Sequence, residues 1–172
     1  YEVMSLSSWG RYPALKDFCQ RSATTETCFE VLQQESSLIP RGLARSYGDS
    51  ALAPTVLTTA QLDKFISFDK VNGLLHCQSG VSLGNILELI LPHGWFLPIL
   101  PGTQFVTVGG AIASDIHGKN HHVDGCFSES IEEFTLVLAD GEQKICSRSE
   151  NPELFHGVCG GMGLLGLVID AK

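Results

Sequence analysis

Hydrophobic and polar residues alternate in short runs along much of the chain, a pattern typical of β-strands. Three of these runs, Thr55–Thr59, Lys64–Phe68 and Leu74–Gln78, are rich in β-branched or aromatic residues. Asn72-Gly73 is a strong hairpin signal between the last two, and Asp140-Gly141 predicts a second hairpin further on. The other predicted strands are Leu38–Pro40, Ile131–Leu138, Gln143–Ser147 and Leu167–Asp170.

Helical spacing is confined to short segments between these strands. Leu83–Leu91 carries apolar residues three and four positions apart, with Ser82 as its cap and Pro92 as its stop. Because short strands and short helices alternate without an internal repeat or a linker, the pattern predicts a single α+β domain over residues 1–172.

Two further helices are predicted from their capping residues. One covers about 26–34, where the hydroxyl of Thr24 or Thr25 is placed to cap the first turn. The other begins at Asn151-Pro152, with asparagine at the cap and proline in the first turn. Residues 1–22 are only weakly patterned, and we expect an extended arm with Trp9 as its aromatic anchor.

Composition narrows the classes of protein to consider. Hydrophobic residues make up 44% of the 172 residues, which is typical of a globular domain. Lysine and arginine number 11 against 19 acidic residues, and no basic cluster appears, so nucleic acid is not an expected partner. The most apolar stretch, Ile86–Leu100, is interrupted by charged residues and prolines and falls short of the roughly 18 residues that span a bilayer.

Cysteine usage indicates a reducing compartment. The six cysteines are widely and irregularly spaced and include no C-x-x-C pair, so scattered thiols are favoured over a disulfide framework. The expected location is therefore cytoplasmic. These residues are Cys19, Cys28, Cys77, Cys126, Cys146 and Cys159.

The stretch Pro101–His122 is unusual, because it holds four glycines, three histidines and a run of small residues. Glycines at this density indicate a backbone that turns sharply or approaches another group closely. A metal site is one interpretation, since His117 and His121 are four residues apart. Gly118 and Asn120 interrupt the helix that this spacing needs, so no metal is predicted. A histidine that donates a hydrogen bond or acts as a base beside a reacting centre is the favoured alternative.

Two segments have the composition of anion-binding loops. Arg41–Ser50 combines two arginines with glycines, alanine and hydroxyl groups, and successive backbone N–H groups in such a loop can form an anion nest. Val108-Gly109-Gly110 opens a second glycine turn at the start of a helical run. Two such loops in one small domain favour a pyrophosphate as the ligand.

A third glycine cluster, Gly161-x-Gly163-x-x-Gly166, matches the dinucleotide fingerprint in letters only. That motif needs a strand before it and a helix after it, whereas here a predicted helix precedes it and a strand-like run follows. Too few residues remain after Gly166 for the complete βαβ unit. The sequence therefore does not predict a Rossmann fold.

Five motifs together carry a family resemblance. They are Arg41-Gly42-x-x-Arg45-Ser46-Tyr47-Gly48-Asp49, Pro101-Gly102-Thr103, Thr107-Val108-Gly109-Gly110-Ala111-Ile112-Ala113, Asp115-Ile116-His117-Gly118-Lys119-Asn120-His121-His122, and Gly160-Gly161 through Gly166. In this combination the chain resembles the FAD-binding (PCMH-type) domain of the vanillyl-alcohol-oxidase flavoproteins, and within that superfamily the decaprenylphosphoryl-β-D-ribose 2′-oxidases. The resemblance extends from Trp9 to the C-terminus.

The resemblance implies a fold and a cofactor site. The fold would be two small α/β subdomains, with short mixed or antiparallel sheets and flanking helices, that sandwich an extended FAD and are not of Rossmann type. His117 would border the flavin, with Lys119 and Asn120 towards the substrate. The implied FAD-binding residues are Arg41, Gly42, Leu43, Ala44, Arg45, Ser46, Tyr47, Gly48, Asp49, Ser50, Pro101, Gly102, Thr107, Val108, Gly109, Gly110, Ala113, Ser114, Ile116, His117, Gly118, Gly166, Leu167 and Val168.

The resemblance also implies a reaction and its partners. It implies oxidation of a sugar hydroxyl at C2 of a polyprenyl-phosphoryl ribose by hydride transfer to flavin N5. Arg45 stands where many relatives carry the histidine that attaches the flavin, so non-covalent FAD is expected. The substrate or cap domain of relatives is expected to lie outside these 172 residues, which makes this piece alone a weak catalyst. A short-chain ketoreductase partner and membrane association follow from the resemblance only.

Two other interpretations remain open. An alditol or aldonolactone oxidase would use the same FAD domain. A flavin-binding or metal-binding module without catalysis is the alternative from another class.

Overall fold

Two sheets of different type form the framework of the computed structural model, which describes residues 5–172. Residues 1–4, the start of the predicted N-terminal arm, lie outside that range. The strands are β1 (Leu6–Ser7), β2 (Ala14–Leu15), β3 (Cys19–Ser22), β4 (Ile39–Arg41), β5 (Thr55–Thr58), β6 (Phe65–Asp69), β7 (Leu74–Gln78), β8 (Glu133–Val137), β9 (Gln143–Ser147) and β10 (Leu167–Ala171). The α-helices are α1 (Cys28–Gln34), α2 (Leu83–Ile90), α3 (Val108–Ala113), α4 (His121–Asp124) and α5 (Pro152–Val158), and short 3-10 helices cover Leu91–His93 and Phe127–Ser130.

The larger sheet has five antiparallel strands in the order β6-β7-β10-β8-β9. Both predicted hairpins are confirmed. Gly73 and Gly141 adopt positive φ angles of 70° and 85° in their turns, which explains why glycine occupies both positions. One face of this sheet carries the main core, where Phe134 of β8 stacks on Phe155 of α5 at 5.4 Å between ring centroids. Helices α2 and α3 contribute to the same cluster.

The smaller sheet is parallel, in the order β3-β5-β4. This differs from the predicted mixed or antiparallel type. The reason is the length of the connections, since α1 separates β3 from β4 and a long loop separates β4 from β5, and parallel strands require such crossovers. A second core cluster holds Cys28 and Leu32 of α1 together with Leu57 of β5 and Leu167 of β10. Since it draws on both sheets, it fixes one against the other.

One helix cap predicted from the sequence is confirmed and one is wrong. Ser82 caps α2, and its hydroxyl accepts a hydrogen bond from the Asn85 N–H at 3.1 Å. Helix α1 instead begins at Cys28 after Thr27. The hydroxyl of Thr24 accepts from the Thr27 N–H at 3.1 Å, so this threonine closes a turn in front of the helix and does not cap it.

Asn151 is the N-cap residue of α5, as predicted, but its side chain forms no capping hydrogen bond. Its backbone has a positive φ of 49°, and its amide donates to the Ile145 carbonyl at 2.8 Å. Asparagine tolerates this left-handed conformation better than most residues, which accounts for its presence before Pro152.

The N-terminal arm is anchored differently from the prediction. Leu6 is buried in a small cluster with Ile39 and Val56, whereas Trp9 is 56% exposed. Strands β1 and β2 pair with each other and form a short ribbon beside the parallel sheet. Within residues 5–172, no helix has the length and apolar character needed to cross a membrane.

Candidate cofactor site

A cleft of about 580 Å³ opens where residues from β4, α3 and β10 come together. Segments far apart in the sequence meet there, and they include most of the residues predicted to bind the cofactor. The predicted residues that line it are Arg41, Gly42, Leu43, Ala44, Arg45, Ser46, Tyr47, Ser50, Pro101, Gly102, Thr107, Gly109, Gly110, Ala113, Ser114, Ile116, His117, Gly166, Leu167 and Val168.

Six predicted residues do not line the cleft. Val108 is buried in the main core at 3% exposure. Gly118 and Lys119 line a neighbouring groove. Gly48 and Asp49 lie in a turn between the lining residues Tyr47 and Ser50. Asn120 braces α4, because its amide donates to the Pro98 carbonyl (2.9 Å) and the Asp124 carboxylate (2.7 Å).

The two predicted anion-binding loops touch each other. Thr107 caps α3, with its hydroxyl accepting a hydrogen bond from the Gly110 N–H at 3.1 Å. Gly42 packs directly on that threonine, and a Cβ built on Gly42 would overlap Oγ1 and lie 3.2 Å from Cγ2. The glycine thus permits the loop after β4 to lie on the start of α3, so both loops face one cleft.

Arg41 is a buried cation at the wall of this cleft. The residue is 8% exposed, and its guanidinium donates to the carbonyls of Ala51 (2.9 Å) and Ser7 (2.6 Å). No carboxylate within residues 5–172 forms an ion pair with it. Loss of hydration on burial lowers the pKa of Arg41. An anion in the cleft would compensate this charge, because buried charges are normally paired.

Ser46 gives a second indication of a polar ligand. Its hydroxyl is buried, yet no group within residues 5–172 hydrogen-bonds to it. Such orphan groups are uncommon and call for a missing partner. A diphosphate, with several acceptor oxygens and negative charge, fits both Ser46 and Arg41.

The N-terminal arm closes against this loop. The backbone N–H of Trp9 donates to the Ser46 carbonyl at 3.0 Å. The Arg45 guanidinium lies over the Trp9 ring, 4.9 Å from the ring centroid. Arg45 also donates to the Leu43 carbonyl at 2.6 Å. Trp9 therefore serves the cleft rather than the core, because it holds Arg45 through a cation–π contact.

The turn after α3 is held from two sides. Asp115 has a positive φ of 40°, and its carboxylate accepts bonds from the N–H (2.8 Å) and the hydroxyl (3.1 Å) of Ser128. On the other side the Met162 N–H donates to the Ala113 carbonyl at 2.8 Å. The turn leads into His117, which pairs with Cys126 in an isolated β-bridge and lines the end of the cleft.

The third glycine cluster lines the cleft through Gly163 and Gly166. Helix α5 precedes it and β10 follows it, in the predicted order. A Cβ on Gly166, whose φ is 152°, would lie 2.5 Å from the Val137 carbonyl oxygen, so only glycine fits at the start of β10. Close packing of two strands explains this glycine.

Several lining residues were not predicted. Gly163 belongs to a glycine cluster and could have been found from that signal. Thr103 and Met162 lie within two of the motifs that carry the family resemblance, and Ala51 directly follows the Arg41–Ser50 loop. Nothing in the local sequence of the remaining five marks them. The unpredicted residues are Pro40, Ala51, Thr59, Ser79, Thr103, Val106, Val158, Met162 and Gly163.

The histidines of Pro101–His122 lie close together without forming a metal cluster. The rings of His117 and His121 are 5.0 Å apart between centroids, and His122 lies 5.8 Å beyond His121. Across residues 5–172, no group of three or more potential ligands from His, Cys, Asp and Glu is close enough to hold a metal ion.

The sequence that forms this cleft matches the profile of a known family. Residues 23–147 match the FAD binding domain family, well over half of the chain. The chain belongs to this family. FAD is therefore the cofactor of the domain.

Relatives of this FAD binding domain are longer proteins. Decaprenylphosphoryl-beta-D-ribose oxidase of Mycolicibacterium smegmatis is 42% identical over 137 residues, 78% of this chain and 30% of the relative. Human Delta(24)-sterol reductase is 33% identical over 107 residues, 62% of this chain and 21% of the relative. The putative D-arabinono-1,4-lactone oxidase of Neurospora crassa is 32% identical over 108 residues, 63% of this chain and 19% of the relative. The chain thus spans less than a third of the length of these relatives.

Proposed function

We propose that this FAD binding domain belongs to an oxidoreductase that oxidises the C2 hydroxyl of a polyprenyl-phosphoryl ribose. The ketone so formed would be the first intermediate in epimerisation to the arabinose form. The observation that carries this proposal is the 42% identity to decaprenylphosphoryl-beta-D-ribose oxidase across 78% of the chain. That match is more extensive than those to the sterol reductase and the lactone oxidase.

The cofactor would lie along the cleft with its diphosphate at the contact between Gly42 and Thr107. Arg41 and Ser46 would bind it there by charge and by hydrogen bond. The adenine end would meet the backbone of Gly166–Val168, which lines the cleft. These roles use the lining residues of the cleft and require no covalent bond, and we propose that FAD is held non-covalently.

Bound FAD supplies the redox chemistry, as the acceptor of a hydride from a carbinol carbon. The chain itself orients the reactants. His117 is the lining residue best placed to meet a substrate, because it borders both the cleft and the adjoining groove. Lys119 lines that groove as well, whereas the NH2 group of the Asn120 amide donates both of its bonds within the protein, which favours a bracing role for Asn120.

Anaerobic titration of the complete FAD-loaded protein tests the proposal. Decaprenylphosphoryl-β-D-ribose should bleach the long-wave flavin absorption, and His117→Ala should slow the bleaching while FAD stays bound. Free alditols and aldonolactones serve as competing substrates in parallel titrations. Rapid bleaching by a lactone, with none by the lipid-linked ribose, would overturn the proposal.

An aldonolactone oxidase is the second candidate. The observation in its favour is the 32% identity to the putative D-arabinono-1,4-lactone oxidase over 63% of the chain. The titration above separates the two candidates. If the lipid-linked ribose is the substrate, we also propose that the protein works beside a membrane and that a ketoreductase consumes its product.

A further inference from the structure

A groove lies next to the cleft, and the ionisable side chains that line it are all basic. It shares Pro101, Gly102 and His117 with the cleft and continues past Lys119 to His121. No acidic residue lines it, although the chain as a whole carries a formal net charge of −8. A basic groove in an acidic protein indicates a site for an anion rather than a cation.

The backbone sets the orientation of both imidazoles in this groove. Nδ1 of His117 lies 3.3 Å from the Gly118 carbonyl oxygen, and Nδ1 of His121 lies 3.1 Å from the same atom. A carbonyl oxygen only accepts hydrogen bonds, so each Nδ1 carries a proton and donates it. Nε2 of both rings is left without a partner among residues 5–172.

The imidazolium form of His121 can bind an anion without losing its bond to the backbone. A second proton on His121 would place an N–H donor at Nε2 while the Nδ1–H bond to Gly118 stays intact. Lys119 forms no ion pair with any carboxylate of residues 5–172, so its ammonium group is also available. The two side chains together present donors of the type that bind phosphate oxygens.

We propose that this groove binds the phosphodiester of the substrate, with Lys119 and His121 as its ligands. The inference rests on the proposed function, since it takes the substrate to be a phosphoryl-linked sugar. His117 at the junction then meets the sugar, and His121 one step further along the groove meets the phosphate. The phosphate thereby fixes which part of the sugar reaches the cleft.

Dimethyl phosphate is a suitable probe, because it is a phosphodiester with the same single negative charge. The FAD-loaded chain would be titrated with it by NMR, following the imidazole signals of His117, His121 and His122. We expect Lys119→Ala and His121→Ala each to weaken binding by about tenfold. His122→Ala is the matched control, since this neighbouring histidine does not line the groove, and it should leave binding unchanged.

Each outcome bears on the inference. Binding that is unaffected by His121→Ala, or equally weakened by His122→Ala, would overturn it. The flavin spectrum and melting temperature of each variant show whether it has folded, and His121→Gln replaces His121→Ala if the latter has not. If dimethyl phosphate does not bind but lipid-linked ribose still reduces the flavin, the phosphate site is wrong and the proposed function is unaffected. If dimethyl phosphate binds but lipid-linked ribose does not reduce the flavin, the proposed function is wrong instead.

Discussion

Gly42 and Thr107 are in direct contact, although 65 positions of sequence separate them. The contact joins the loop after β4 to the first turn of α3. It exists because glycine has no Cβ, which here would overlap the threonine hydroxyl that caps α3. The geometry of the proposed diphosphate site therefore depends on a missing side chain in one loop and a hydroxyl in the other.

Gly42→Ala should weaken FAD binding and destabilise the fold. The new methyl group must displace Thr107, which costs about 1–3 kcal/mol as overpacking and disturbs the cap of α3. Urea unfolding and titration with FAD, followed by quenching of flavin fluorescence, measure the two effects.

Gly84→Ala is the control for this substitution. Gly84 lies in α2, and its Cβ would meet only ordinary contacts at 3.5 Å, so alanine should raise the free energy of unfolding by about 0.5–1 kcal/mol. Equal FAD affinity in wild type and Gly42→Ala would contradict the assigned role of the contact.

Arg41→Met should reduce FAD affinity by at least about tenfold. The substitution keeps an unbranched side chain but removes the buried charge that we place beside the diphosphate, and a charge-assisted hydrogen bond is worth about 1.5–3 kcal/mol. Affinity should also lose part of its salt dependence. Arg21→Met removes an exposed arginine paired with Glu35 and should leave both properties unchanged.

Local sequence signals were sufficient for the hairpins, for the strand runs and for the cap of α2. Asn72-Gly73 and Ser82 act on neighbouring residues, so their effect does not depend on the rest of the fold. The parallel order of β3-β5-β4 was missed because nothing within a strand shows which strand it will pair with. Trp9 was misjudged for a similar reason, since its partner Arg45 lies 36 positions away in the sequence.

The residues of the candidate site also divide into those that local sequence signals predict and those that only the fold brings there. Glycine clusters and arginines identified the loops around Arg41 and Gly109, because these residue types have few uses outside tight turns and anion sites. Thr59 and Ser79 reach the cleft through sheet packing alone, and their local sequence carries no sign of it.

Asp115 should respond differently to three substitutions. Asp115→Ala loses the two bonds to Ser128 and keeps the strained positive φ, so it should cost about 1–3 kcal/mol of unfolding free energy. Asp115→Gly relieves the backbone strain and should recover about 1 kcal/mol of that loss. Asp115→Asn keeps an acceptor and tolerates the conformation, so it should be the most stable of the three. Urea unfolding gives the order, and a glycine variant less stable than alanine would contradict the backbone argument.

Alkaline pH should destabilise the protein through its buried thiols. Burial raises the pKa of Cys77 to about 12, with Asp170 acting in the same direction, while an unfolded thiol ionises at about pH 8.5. The folded chain therefore binds more protons than the unfolded chain between these values, and the free energy of unfolding falls as the pH rises through them.

The decline from Cys77 should reach up to about 1.4 kcal/mol per pH unit. Burial raises the pKa of Cys159 to about 11 and adds to the slope. Urea unfolding at about pH 8, 9 and 10 should give a shallower decline for Cys77→Ala than for wild type. Cys19→Ser, at an exposed thiol, should leave the slope unchanged, and an equal slope in Cys77→Ala would refute the assignment.

Denaturation in acid should release all flavin from the FAD-loaded protein. By resemblance to the superfamily, Arg45 is expected to take the loop position of a flavin-attaching histidine, and its guanidinium is held between Trp9 and the Leu43 carbonyl. Guanidinium remains protonated at physiological pH and does not act as a nucleophile towards the flavin. After precipitation with trichloroacetic acid, the yellow colour should stay in the supernatant, and the washed pellet should show no flavin fluorescence. Trp9→Ala should lower FAD affinity without changing this result, because it frees Arg45 but supplies no nucleophile. Flavin retained in the pellet of either protein would contradict non-covalent binding and would direct the search to another side chain of the cleft.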